Sequence, residues 1–369
     1  MACHEIDFCL QKDTPMLAAG SFIYLNNTFF DKQLESAVDI IDFVVTAQKR
    51  LMNIQWVKFR RSIRGYLLNI IFRLFVKRMF KPAPNSVERL RGLMAKMDAP
   101  LAKLLNHSIL YEKQLGASAA TWIGGPKDTT KPILLYLHGG AFFMRTPNNH
   151  RLFLDRLRAA CSLNSVIPFY RLAPEHPFPA ALDDSVAAYK ELLDQGYEPN
   201  NIILAGDSAG GNLAIALIQH LKIHDHPMPN SAVLLSPGLD LSLARIESDA
   251  SYKKDPVFPG NALQIVTDNY LVGDAAAGND PRASPIFGGF EGLPPLLFIA
   301  GSTELFLQDS IRACNAAVEA GVDAKAMIWR GMPHCFPLMQ PRFLPESAAA
   351  MKDIVEFISH NLNSSRKLS

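Results

Sequence analysis

The chain has 369 residues, 49% of them hydrophobic, and a net charge of +2. That is enough chain and apolar content for one large cored domain with an appended or inserted subdomain. The near balance of charge, without a Lys/Arg-rich tail and without a GxxxxGK[ST] loop, points away from nucleic acid and from nucleotide phosphates.

The first residues, Met1-Ala-Cys-His-Glu-Ile-Asp, lack the basic and apolar regions of a signal peptide. No uninterrupted apolar run reaches the length of about 18 residues that marks a transmembrane helix, so a cytoplasmic location is the expectation. Residues 1–105 read as a mostly helical N-terminal region. Between Asp42 and Glu88 there is no acid, but Lys49, Arg50, Lys58, Arg60, Arg61, Arg64, Arg73, Lys77, Arg78 and Lys81 all fall there. Lys58, Ser62, Tyr66, Asn69, Arg73 and Lys77 recur at helical spacing as a narrow polar stripe, and Leu67, Leu68, Ile70, Ile71, Phe72, Leu74, Phe75 and Val76 cover the rest. Two readings of residues 58–80 stand side by side. The stretch makes peripheral contact with a membrane, which would leave the protein membrane-associated, or it packs on the body as part of a cap. Pro82-Ala83-Pro84 ends it.

From about residue 107 the period changes. His107–Leu115 and Ala117–Ile123 alternate as a β-hairpin does. Short apolar runs then alternate with helical stretches. The runs are 133–137, 165–169, 201–205, 232–235, 296–300 and 324–329; the helical stretches are 151–160, 180–195, 210–224, 308–320 and 346–361. Buried strands alternating with helices predict an α/β fold, a mostly parallel central sheet flanked by helices, over residues 106–369. Residues 240–287 are too long for a loop and are expected to add a cap insertion. The cysteines Cys3, Cys9, Cys161, Cys314 and Cys335 are odd in number and lack CxxC spacing, which argues against a disulfide framework and against zinc.

Two glycine clusters carry the chemistry. Asn201–Ala205 runs into Gly206-Asp207-Ser208-Ala209-Gly210 and then into a helix. Small residues around a serine at a strand-to-helix turn hold its hydroxyl out of the sheet, with helical N–H groups behind it. Upstream, Ile133–Leu137 runs into His138-Gly139-Gly140-Ala141, a turn whose N–H groups, with that of Ala209, form a cradle for an oxygen becoming negative. A serine nucleophile needs a base, and the base an acid, in the order Ser, acid, His. His334 follows the last strand-like run. The acid is Glu304, at the tip of the 296–300 strand, with Asp309 as its rival. Arg171 and Glu175 are expected to pin a loop as an ion pair, joined by Asp183 or Asp184. Asp207 is expected to fix the turn, and Cys335 to be packing.

His138-Gly-Gly-Ala, Tyr170-Arg-Leu-Ala-Pro-Glu-His-Pro-Phe-Pro179, Gly206-Asp-Ser-Ala-Gly-Gly211, Leu235-Ser-Pro-Gly-Leu-Asp240 and Gly331-Met-Pro-His334 together resemble the hormone-sensitive-lipase family of α/β-hydrolases, over about residues 105–360. The resemblance implies an α/β-hydrolase fold with a helical cap and a serine carboxylic-ester hydrolase, an esterase or lipase. It further implies catalytic Ser208, His334 and an acid at Glu304, and an oxyanion hole of Gly139, Gly140, Ala141 and Ala209, with Gly139 shaping the loop. No metal and no organic cofactor is implied; the partner is a small carboxylic-ester substrate. Two positions depart from the family pattern. Ala141 stands where a third glycine is usual, making a bulky tertiary alcohol less welcome, and Glu304 stands where Asp is usual. A lactone hydrolase, or a non-catalytic small-molecule-binding protein on the same fold, remains as an alternative, and a homodimer through an edge strand stays open.

Overall fold

The computed structural model describes residues 53–80, 86–105, 110–124, 128–242, 244–245, 253–274 and 276–366. The described strands are β1 (Ile54–Val57), β2 (Leu110–Leu115), β3 (Ser118–Ile123), β4 (Ile133–Leu137), β5 (Asn164–Pro168), β6 (Ile202–Asp207), β7 (Ser231–Leu235), β8 (Leu296–Gly301) and β9 (Ala324–Trp329). They form one sheet in the order β1-β9-β8-β7-β6-β4-β5-β3-β2. β2 and β3 are an antiparallel hairpin, and β3 joins β5 antiparallel; every other pair is parallel. The fold is the α/β-hydrolase fold.

The parallel strands carry continuous apolar runs because helices cover both faces. Ile-Leu-Leu-Tyr-Leu of β4 is buried at every position. The main helices are α1 (Ile63–Ile71), α2 (Ser86–Asp98), α3 (Pro147–Cys161), α4 (Ala180–Asp194), α5 (Ala209–Ile223), α6 (Ala262–Tyr270), α7 (Leu307–Glu319) and α8 (Pro345–Arg366). α5 lies behind the sheet centre, and even its polar Asn212 and Gln219 are buried. Asn212 Nδ2 donates to the carbonyls of Gly238 and Ala283, and Gln219 Nε2 donates to that of Pro285.

The N-terminal region holds a strand that the helical reading did not include. Residues 1–52 lie outside the described residues. The remainder is not purely helical: Ile54–Val57 pairs parallel with β9, in register Ile54 with Ala326 through Val57 with Trp329. A four-residue edge strand, buried on neither side throughout, has too short a pattern to stand out from a helical one. The described residues from Asn53 onward fall within one compact unit. α1 continues through a π-helical turn (Phe72–Val76) and a last helical stretch, Lys77–Met79. Among the described residues no helix is long and apolar enough to cross a membrane. The expected insertion supplies α6 and two short 3₁₀ turns, Ala277–Asn279 and Pro285–Phe287.

Candidate active site

The site is assembled from loops at the carboxyl ends of β4, β6, β7, β8 and β9, where an open parallel sheet leaves a crevice. β6 ends in Asp207, and Ser208 follows at φ 53°, ψ −118°, a strained conformation for a residue with a side chain. Sterics hold it there. A Cβ on Gly210 would collide with the Leu137 carbonyl, and one on Gly206 with the Gly210 carbonyl. The Ser208 N–H is spent on the Leu235 carbonyl, 2.8 Å away, so the residue cannot relax without breaking the sheet edge. α5 begins at Ala209, whose N–H has no intrahelical acceptor and faces the same side.

The loop after β4 is strained in the same way. Gly140 has φ 127°, and Ala141 and Phe142 follow at φ 55° and 63°. Each non-glycine residue in this region costs on the order of 1 kcal/mol. The neighbours hold it. The Phe142 ring stacks on Tyr270 at the end of α6, centroids 3.8 Å apart and 3° from parallel, and Met144 and Phe143 donate back to the Gly140 carbonyl. Gly140 and Ala141 keep N–H groups that take no acceptor among the described residues, while Gly139 does not. Its N–H is donated to Asp207 Oδ1 at 2.8 Å. With its N–H engaged in this way, Gly139 is placed to shape the loop, the part the resemblance implied for it, rather than to donate into the cradle.

Asp207 organises the junction of these two loops. It accepts from Gly139 N–H, from the Tyr136 hydroxyl at 2.8 Å, and lies 3.1 Å from His150 Nε2. Burial alone would raise its pKa, but His150, Tyr136 and Gly139 bring it down to about 2. His138 is buried and stacked on Tyr170 (4.1 Å), whose hydroxyl donates to the His138 carbonyl. Burial first, then the His150 ring, lowers its pKa to about 3, so it is a neutral structural ring.

On the other side of Ser208, the loops after β8 and β9 are stitched together. Thr303 donates from its hydroxyl to the Met332 carbonyl, Gly331 N–H donates to Ser302 Oγ, and Cys335 N–H donates to Ser236 Oγ after β7. This places His334 Nδ1 3.4 Å from Glu304 Oε2. Glu304 is 2% exposed, and neither carboxylate oxygen has a formed hydrogen bond. Burial raises its pKa; His334 first and the Ser236 side chain next oppose that. A buried carboxylate short of partners beside an imidazole nitrogen is a pair that tightens when the ring becomes charged.

Asp309, the rival, is elsewhere engaged. In the first turn of α7 it lies 3.2 Å from Arg245 and accepts the Leu239 N–H. Burial raises its pKa to about 7 against the pull of Arg245. The structure brings Glu304, not Asp309, to His334. The expected Arg171–Glu175 pair is absent among the described residues. Arg171 binds Asp184 (2.8 Å), and Glu175 binds Arg91 of α2 (2.6 Å). Arg91 also donates to the carbonyls of Phe143 and Ala173, so it clamps the strained loop from outside. Cys335 is half-buried, its thiol 3.8 Å from the Leu235 carbonyl, and desolvation of the thiol pushes its pKa well up.

A cleft opens at Ser208. Ala141 and Ala209 line it beside the serine, and its apolar wall includes Phe80, Phe258, Leu263 and Phe306. Phe258 and Phe306 also touch the His334 ring, at 4.8 and 5.4 Å between centroids. Sequence reasoning missed Ser236, Asp255 and Phe80. Asp255 is fully buried and accepts N–H groups from Val257, Phe258 and, at 2.6 Å, Leu305, the residue after Glu304. The Asp255-Pro256 dipeptide, an acid poised to cap a turn, is the one local signal that marks it.

Residues 134–338 match a family model described as the alpha/beta hydrolase fold. An esterase from Acinetobacter venetianus is 40% identical over 225 residues, which is 61% of this chain and 74% of that protein. An acetyl-hydrolase from Streptomyces hygroscopicus is 36% identical over 241 residues, 64% of this chain and 78% of the relative. Among solved structures, an esterase/lipase from an uncultured bacterium superposes with a TM-score of 0.73 at 32% identity, covering 82% of this chain and 99% of that one. An esterase described as from the bacterial hormone-sensitive lipase family gives 0.71 at 32% identity, over 82% of this chain and all of that one. With the strained serine turn, the glycine loop facing it and the histidine at the third strand end all on one sheet edge, this chain belongs to the hormone-sensitive-lipase family of α/β-hydrolases.

Proposed function

We propose that the chain is a serine carboxylic-ester hydrolase whose catalytic groups are Ser208, His334 and Glu304. His334 Nε2 takes the Ser208 proton as Oγ attacks the ester carbonyl carbon. The oxyanion then forms against the N–H groups of Gly140, Ala141 and Ala209, each such donor contributing about 3 kcal/mol in the transition state. The imidazolium formed is stabilised by Glu304, and its proton leaves with the alcohol. Water, deprotonated by the same ring, releases the acid and restores Ser208.

The observation that carries this reading is Ser208 itself. It is strained at the elbow and open to a cleft whose aromatic wall is also the wall against His334. Ser208→Ala should lower kcat on p-nitrophenyl esters by about a millionfold while leaving the unfolding transition in place. A fluorophosphonate should label the wild-type protein at Ser208 and not the variant. Retained turnover in Ser208→Ala would sink the assignment. Residues 53–80 and the insertion act as a cap over the cleft, contributing Phe80 and, from the insertion, Phe258 and Leu263 to its wall.

A further inference from the structure

In the segment that begins with α1, Ser62, Asn69 and Lys77 of the polar stripe turn toward the body, while Tyr66 and Arg73 are exposed. Gly65 and Asn69 are buried. Asn69 Nδ2 donates to the Gly331 carbonyl, Ser62 donates from N–H and hydroxyl to Glu346, and Lys77 donates to the Asp255 carbonyl. These bonds fix which side faces out. The outward side is apolar: Ile63, Tyr66, Leu67, Ile70, Ile71 and Leu74 follow the three-and-four spacing of one helix face. Their exposures run from 39% at Ile70 to 80% at Ile63, and Phe75 beside them is 65% exposed. A contiguous apolar face of this kind on a protein surface marks a contact.

The rim decides the partner. Residues 53–80 contain no acid, and Arg60, Arg64 and Arg78 are exposed and without a carboxylate partner among the described residues. A second copy docked by symmetry would set these cations against their own kind. An anionic lipid surface meets both demands, burying the apolar stripe among acyl chains and the arginines among phosphates. The same segment ends at Phe80, which lines the cleft at Ser208 and stacks edge-on against Phe258 at 5.4 Å. We propose that the outer face of residues 63–78 docks on anionic lipid, and that the substrates are lipid esters whose acyl chains enter the cleft past Phe80. The substrate part of this rests on the ester-hydrolase reading; the docking part does not.

The test uses the full chain and sedimentation with vesicles of phosphatidylcholine and phosphatidylglycerol at 3:1, beside pure phosphatidylcholine. Wild type and Ser208→Ala should sediment alike with the anionic vesicles, and less as salt is raised. The double variant Ile70→Glu/Phe75→Glu should lose about tenfold or more of its partitioning, and Arg60→Glu/Arg78→Glu a similar amount, while both hydrolyse p-nitrophenyl butyrate in solution within about twofold of wild type. Sedimentation of the variants equal to wild type, or none of wild type at low salt, overturns the proposal. So does a wild-type dimer that Ile70→Glu/Phe75→Glu dissolves, which would assign the face to a second copy. Vesicle binding by a wild-type protein that turns over no ester would leave the docking standing and remove the hydrolase reading instead.

Discussion

At the scale of single residues, Glu304 and Asp309 are two buried carboxylates five positions apart with different neighbours. Glu304 faces an imidazole, and Asp309 faces a guanidinium and a backbone N–H. Glu304→Gln keeps the shape but leaves the His334 imidazolium without its counter-charge. It should cost about 10³–10⁴ in kcat on a short-chain ester, with KM little changed. Asp309→Asn should leave kcat within about threefold and change the unfolding free energy instead, because it disturbs Arg245. Steady-state kinetics on the two purified variants checks both. Asp207 gives a pH test. Its pKa is lowered from the ordinary 3.8 to about 2. A depressed carboxylate stabilises the fold above its unfolded value, and that contribution is lost as pH falls through the folded one. It is worth about 2 kcal/mol at neutral pH. The urea-unfolding difference between wild type and Asp207→Asn should therefore be largest above about pH 4 and shrink toward pH 2.

At the scale of elements, the strained loop after β4 is held by groups from outside it. Tyr270, from the insertion, stacks on Phe142, and Arg91, from the N-terminal region, holds the Phe143 carbonyl. These outside groups thus hold the geometry of the loop that carries the Gly140 and Ala141 N–H groups. Tyr270→Leu removes the stack and leaves Phe142 at φ 63° with less to hold it there. We expect kcat to fall about tenfold with KM nearly unchanged, and stability to fall by about 2–3 kcal/mol. Kinetics and urea unfolding on one preparation would show it, and an unchanged kcat would mean that the loop holds its own shape. Asp255 acts similarly on the other side, capping Leu305 beside Glu304 while its carbonyl takes the Lys77 ammonium.

At the scale of the molecule, residues 53–80 belong to the body. β1 closes the sheet edge at β9, α1 is pinned by Glu346 and Gly331, and Phe80 reaches the cleft. Removing everything before residue 81 would uncover the β9 edge and the Phe80 site together. Such a truncation should lose its cooperative thermal transition or aggregate. Its effect on lipid binding would therefore be uninterpretable, and point changes on the outer face are the proper comparison. A truncated chain that unfolds cooperatively at the wild-type temperature would show the segment to be an appendage.

Local chemistry was legible in the chain. Ser208, His334, Glu304 and the glycine loop stand where strand ends are dictated by apolar runs such as 133–137 and 324–329, and these runs form strands because both faces are covered. The helices also fell where their periodicity put them, within a few residues at the ends. Partner choice was not legible. Arg171 meets Asp184 rather than Glu175, and Glu175 meets Arg91 from 84 positions away, because a long flexible cation takes whichever carboxylate the fold brings near. The carboxylate that takes the Gly139 N–H, Asp207, comes from 68 positions away and was not legible either. The stripe of residues 58–77 was visible as a pattern, but a helical period states only that two faces differ. Which face turns inward depends on Gly331, Glu346 and Asp255, which lie far along the chain and come together only when the sheet has formed. The sequence by itself determined the strands, the elbow and the chain order of Ser208, the two candidate carboxylates and His334. Tertiary structure alone decided which carboxylate His334 meets and which side of α1 faces outward.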